Sequence, residues 1–113
     1  MTEENKKVLN ADPRKAVEEM ILITEEMMAR MDIENNSLAT NDGTSFAVNE
    51  PNKDHVTDVY ERAAAEFHKR LGEFKKVDGA LLDDFAQAQE SLKRTAENNL
   101  KLLDKTEENI KKS

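Results

Sequence analysis

A chain of 113 residues, 36% charged, 4% aromatic and free of cysteine, is about one domain on a prior of roughly 100–200 residues per domain. Its 24 Leu, Ile, Val and Phe residues, about 21% of the chain, stand just above the roughly 20% level below which highly charged chains stay disordered. A β-sandwich and a deeply cored α/β enzyme are therefore not expected; any core must be a thin stripe.

Absence of cysteine removes a disulfide framework and a thiolate zinc site, and nothing asks for an oxidising compartment. The opening residues lack an apolar signal region, and the longest apolar run is four residues, Met20 to Ile23, against the ~20 that span a bilayer. The expectation is a cytoplasmic protein with no membrane insertion. Residues 1–58 hold 13 acidic and 6 basic side chains and residues 59–113 hold 11 of each, so the net charge of −7 lies in the first half. Nucleic acid is a poor partner for such a chain, because phosphate binding needs a basic face. The acidic half either solvates the surface or steers the molecule toward a basic partner.

Residues 1–11 are polar without periodicity and read as a flexible arm, followed by one helical domain over 12–112. Asp12-Pro13 starts a helix on physical grounds: the carboxylate accepts from free backbone N–H groups, and proline at the first position loses no needed donor. Val17, Met20, Thr24, Met27, Met31 and Leu38 then recur at threes and fours, interrupted by Glu34, predicting a helix over 13–39. Four of the five methionines lie here. Met20, Met27 and Met31 share a face, read as core or as a pliable apolar groove, and Met28 points about 100° away.

Asn41-Asp42-Gly43 and Asn49-Glu50-Pro51-Asn52 are clusters of helix breakers, so 40–52 reads as a connection. Phe46, its one aromatic, either caps the end of the bundle or docks a partner. A second helix is predicted over 53–77, with Val56, Tyr60, Ala63, Phe67, Leu71 and Phe74 on one face. Asp78-Gly79 punctuates the chain, and a third helix over 80–111 carries Leu82, Phe85, Leu92, Ala96, Leu100, Leu103 and Ile110. The fold expected is all-α: an elongated three-helix antiparallel bundle or coiled coil with a long C-terminal helix. In it the second and third helices form a hairpin and the first packs on that hairpin. The last helix outruns the first two, leaving leucines without an internal partner.

Motifs for chemistry are missing. His55 and His68, thirteen residues apart, differ by about 220° around a helix axis and share no ligand face; neither a metal nor a cofactor is expected. Phe67-His68-Lys69-Arg70-Leu71-Gly72 faintly resembles the phosphoacceptor helix of histidine phosphotransfer domains, but Leu71 stands where those carry lysine. No GxxxxGK, GxSxG or HExxH is present, so an enzyme is not expected.

The order of elements is more informative. The first helix ends in Glu34-Asn35-Asn36-Ser37-Leu38, Lys53 precedes Tyr60 by seven residues, and the last helix carries Leu92, Ala96-Glu97-Asn98-Asn99-Leu100 and Leu103. Over residues 16–110 this resembles the FlgN-type flagellar type III export chaperones, especially the short alphaproteobacterial form. The 41–52 connection departs from the pattern, with a polar insert in place of a leucine-rich passage. The tail tyrosine with which some relatives contact the export gate has no counterpart. The resemblance implies a non-enzymatic cytoplasmic chaperone, monomer or homodimer, binding helical ends of hook–filament junction subunits before secretion. It puts client contact on the C-terminal helix, at Leu92, Ala96, Leu100, Leu103 and Ile110, with Asn99 fixing register. Ordinary internal core is the competing reading of these residues, and a self-associating coiled-coil scaffold the competing function.

Overall fold

The computed structural model describes residues 7–112, with side chains up to residue 108. Three long helices pack against one another: α1 (Pro13–Ala39), α2 (Gly43–Lys69) and α3 (Gly79–Lys112), with a 3-10 segment at Leu71–Lys76 between the last two. The described residues contain no strand. A radius of gyration of 16.7 Å and extents of 54 × 36 × 19 Å make the chain longer than a sphere of its size, for which about 13 Å is usual.

α1 begins as its sequence requires. Asp12 has extended backbone angles and its carboxylate accepts from Lys15 N–H at 3.1 Å, with Pro13 in the first turn. Its end is a Schellman closure: Asp42 N–H donates to Ser37 O at 2.8 Å and Asn41 N–H to Leu38 O at 3.4 Å. That closure needs a left-handed residue, and Asn41 supplies it at φ 57°, asparagine being among the few side chains that tolerate this region. Asp42 at once caps α2, accepting from the Ser45 N–H at 3.0 Å and from the Ser45 hydroxyl at 2.7 Å. These bonds hold its carboxyl below the usual range.

The expected connection 40–52 is therefore only three residues long, and α2 starts ten residues before the predicted Lys53. Pro51 sits inside the helix. The carbonyl it leaves without a donor is that of exposed Ala47, which water can satisfy, so much of the usual cost of an internal proline is avoided. The predicted end at Val77 is also corrected. α2 stops at Lys69, and the chain tightens into the 3-10 segment. Seven residues of straight α-helix advance the backbone about 10 Å; the break brings Phe74 back so that its ring stacks on Phe67 at 4.3 Å.

α1 is the shared element. α2 and α3 each lie along it, while their own backbones stay apart and meet through side chains, so the expected α2–α3 hairpin is not the organising pair. Pairings run in opposite order along α1 and α2 (Met27 with Thr57, Glu34 with Lys53). They run in the same order along α1 and α3 (Thr24 with Gln89, Glu34 with Asn99). The latter share one offset, which sets Ala39 level with Asp104, so α3 outruns α1 by about 12 Å at ~1.5 Å per residue.

The apolar core lies at one end, around Ala16, Val17, Met20, Ala63, Phe67 and Phe74, with Phe85 packed against it. The expectation of a flexible arm fails for residues 7–11. Leu9 is buried in this core, and Val8 and Leu9 N–H donate to the Glu66 carboxylate at 2.7 and 3.0 Å. Arg70 donates to Asn10 O and Ala11 O at 2.8 and 2.9 Å. One apolar side chain and four main-chain groups held by two charged residues tie the segment down. Residues 1–6 of the arm lie outside the described residues.

Candidate functional site

Toward the other end the core turns polar. Glu34, at 1% exposure, is the interruption in the apolar face of α1, and it is met from both sides. From α2 the Lys53 ammonium pairs with its Oε1. From α3 the Asn99 amide donates to its Oε2 at 2.9 Å and to Asn35 Oδ1 at 2.8 Å. Asn35 donates in turn to Thr95 O at 3.3 Å, and buried Asn49 donates to Arg30 O at 3.0 Å. A buried charge with a counter-charge and a hydrogen bond is tolerated where a bare one is not. The adjacent pair Glu34 and Asn35, with Lys53 and Asn99 from distant parts of the sequence, thus form one cluster joining all three helices.

Burial pushes the Glu34 carboxyl upward, but the hydrogen bonds from Asn99 and Lys53 and the Lys53 charge outweigh it and hold it below the usual range. Glu50, beside it, goes the other way. Burial raises it and Lys53 lowers it, while the Glu34 charge, their shared hydrogen bond and Asp54 keep it raised. The signs have opposite consequences. Glu34 contributes stability above the ordinary carboxylate range and loses it as pH falls through its lowered pKa. Glu50 contributes below that range and loses it as pH rises through its raised one. Urea unfolding from pH 4 to 8 is expected to show a Glu50-dependent loss of wild-type stability as pH rises above the ordinary carboxylate range, and Glu50→Gln removing that component. Parallel profiles for the two proteins would contradict it.

A second polar relay lies three turns nearer the apolar end. Tyr60 O–H donates to Gln89 Oε1 at 3.1 Å, Gln89 Nε2 to Thr24 Oγ1 at 2.9 Å, and Thr24 O–H to Met20 O at 2.7 Å. Gln89 has no apolar character to mark it in the sequence, yet it bridges α2 and α1 from α3.

Between the two polar layers α2 and α3 leave a cleft of about 400 Å³. Met27 and Met31 of α1 form its floor, Thr57 and Tyr60 its α2 wall, Leu92 and Ala96 its α3 wall. Beyond the Glu34 cluster a second hollow of about 330 Å³ opens between Leu38, Phe46 and Leu103. Phe46 therefore borders an opening at the end of the bundle. α3 runs past both hollows.

The residues singled out on the last helix divide. Leu92 and Asn99 are 8% and 6% exposed and belong to the interior. Asn99 fixes a register between α3 and α1, because both its acceptors are on α1. Ala96 is half-buried in the cleft wall. Leu100 and Leu103 are 63% and 36% exposed. Ile110 lies outside the described side chains. The inward stripe of α3 runs Leu92, Asn99, Leu102 and Thr106, whereas apolar spacing alone selects Leu100 and Leu103. Met27 and Met31, singled out as core or groove, are the floor of the opening.

His55 and His68 are both exposed on α2. Among the described residues no three His, Asp or Glu side chains are grouped to hold a metal ion, and no helix is long and apolar enough to cross a membrane. What the arrangement can do chemically is pack: it offers flexible apolar side chains in a cleft with polar ends. No protein-family model, curated protein or solved structure matches the chain.

Proposed function

We propose that the chain is a non-enzymatic chaperone that receives an apolar helical segment of a client protein between α2 and α3. The observation that carries this reading is the open cleft lined by Met27, Met31, Leu92 and Ala96, with Leu100 and Leu103 exposed farther along the same helix, α3. Methionine adapts its shape to varied apolar partners, and a helix laid in such a groove is read as anchors at i, i+3, i+4 and i+7. A client helix there would complete a four-helix arrangement on the α1 scaffold.

The class of client follows from the resemblance to FlgN-type export chaperones: the helical ends of hook–filament junction subunits, held in the cytoplasm before type III secretion. The convergence of Glu34, Asn35, Lys53 and Asn99 supports treating the quoted motifs as one structural unit. In this reading the chain is an elongated three-helix antiparallel bundle with a long C-terminal helix. It uses no cofactor.

Calorimetric titration with the C-terminal helical segment of a junction subunit tests the reading. Leu100→Asp with Leu103→Asp is expected to weaken binding by about tenfold or more, a loss of ~1.4 kcal/mol. Circular dichroism should stay helical, because Leu100 is exposed and Leu103 borders the open hollow beside Leu38 and Phe46, both outside the buried core. Loss of helix together with binding would place these leucines in the core instead. A stable homodimer in sedimentation whose mass ignores the client would favour the self-associating scaffold.

A further inference from the structure

A second groove lies on another side of α1, between α1 and α3. It encloses about 620 Å³, within the range of binding pockets, with Ile21, Leu22, Met28, Leu81 and Ala88 among its lining residues. Leu22 is 65% exposed there, although it belongs to the most apolar run of the chain. Charged lining residues are all acidic: Glu18 and Glu25 on the α1 side, Asp84 on the α3 side, with no lysine or arginine. Arg14 pairs with Glu18 at 3.5 Å, but the pair is solvent-exposed and offsets little of that potential.

We infer that this groove docks a basic amphipathic helix of another protein, its apolar stripe on Leu22 and Met28 and its lysines or arginines over Glu25 and Asp84. Charge decides the occupant. An apolar floor alone would accept any greasy segment, but carboxylates on both rims repel acidic helices and favour basic ones. A second copy is disfavoured, since each carries a net charge of −7 and like charge opposes association. The groove extends from Glu18 to Met28 along α1 and from Leu81 to Ser91 along α3, about 15 Å or three helical turns on each wall. That length matches one i, i+3, i+4, i+7 anchor set. The site is independent of the Met27–Met31 cleft, so the failure of one assignment does not decide the other.

The probe is a synthetic leucine–lysine helix of about 14 residues, paired with a leucine–glutamate helix of identical pattern. Binding is followed by fluorescence anisotropy and by the methionine ε-methyl resonances of the full chain. The lysine peptide is expected to bind, to shift Met28 and to leave Met27 and Met31 in place. Leu22→Ser, and separately Glu25→Lys with Asp84→Lys, should each weaken it by about tenfold. The doubly reversed variant should instead bind the glutamate peptide. Reversal of the exposed Glu107 and Glu108, outside the groove, should change neither. An equal loss on reversing Glu107 and Glu108, a shift at Met27 and Met31 instead of Met28, or no binding would overturn the assignment. So would a dimer of the free chain that Leu22→Ser dissolves, because a second copy would then be the occupant.

Discussion

Lys53→Met lowers the unfolding free energy by about 3–5 kcal/mol, the usual cost of removing one partner from a buried ion pair. The reason lies on the other helix. Glu34 is 1% exposed, and Lys53 is the counter-charge that makes its ionised form tolerable there. Without Lys53, burial dominates and the Glu34 carboxyl rises, so the variant should lose most of its deficit as the pH is lowered. Pairing Lys53→Met with Glu34→Gln should restore much of the stability even at neutral pH. The glutamine oxygen still accepts from Asn99, and no buried charge is left. Urea unfolding of the four proteins at pH 7 gives the coupling directly. A cost for Lys53→Met below about 1 kcal/mol, the range of exposed pairs, would mean that Glu34 is solvated.

Phe67→Ala is expected to cost about 3–5 kcal/mol for a different reason, lost apolar contact and the cavity left behind. Phe67 stacks on Phe74 at 4.3 Å and lies 4.7 Å from the Phe85 ring, tying α2, the 3-10 segment and α3 into one contact. Leu9 packs in the same cluster, so hydrogen exchange should show faster exchange at the Val8 and Leu9 amides in the variant. By contrast Leu100→Ala should stay within about 0.5 kcal/mol of wild type, as surface changes do. A large loss at Leu100 with a small one at Phe67 would reverse the assignment of inside and outside.

These two sites also mark where the sequence was informative. α1 is legible from Asp12-Pro13 to its last turn because local signals and packing agree there. The start of α2 is not. Gly43, Asn49 and Pro51 all read as breakers, yet Asn49 is buried with its amide on the Arg30 carbonyl, and a contact with another helix overrides local propensity. The inward face of α3 misleads for a related reason. Apolar periodicity selects Leu100 and Leu103, whereas the folded chain turns Asn99 inward because Glu34 and Asn35 await it on α1. A hydrophobic pattern carries no information about a polar partner 65 residues away in the chain. The cleft was half visible: the methionine face of α1 was evident, but the separation of α2 from α3 that leaves half-buried Met31, beside buried Met27, at the base of a cleft depends on how three helices share one scaffold.

Methyl resonances of the methionines, recorded while a junction-subunit helical segment is added, test the central claim most directly. Occupation of the α2–α3 cleft predicts saturable shifts at Met27 and Met31, with Met20, buried in the apolar end, and Met28, on the other groove, unchanged. Shifts confined to Met28, or none at saturating segment, would contradict it.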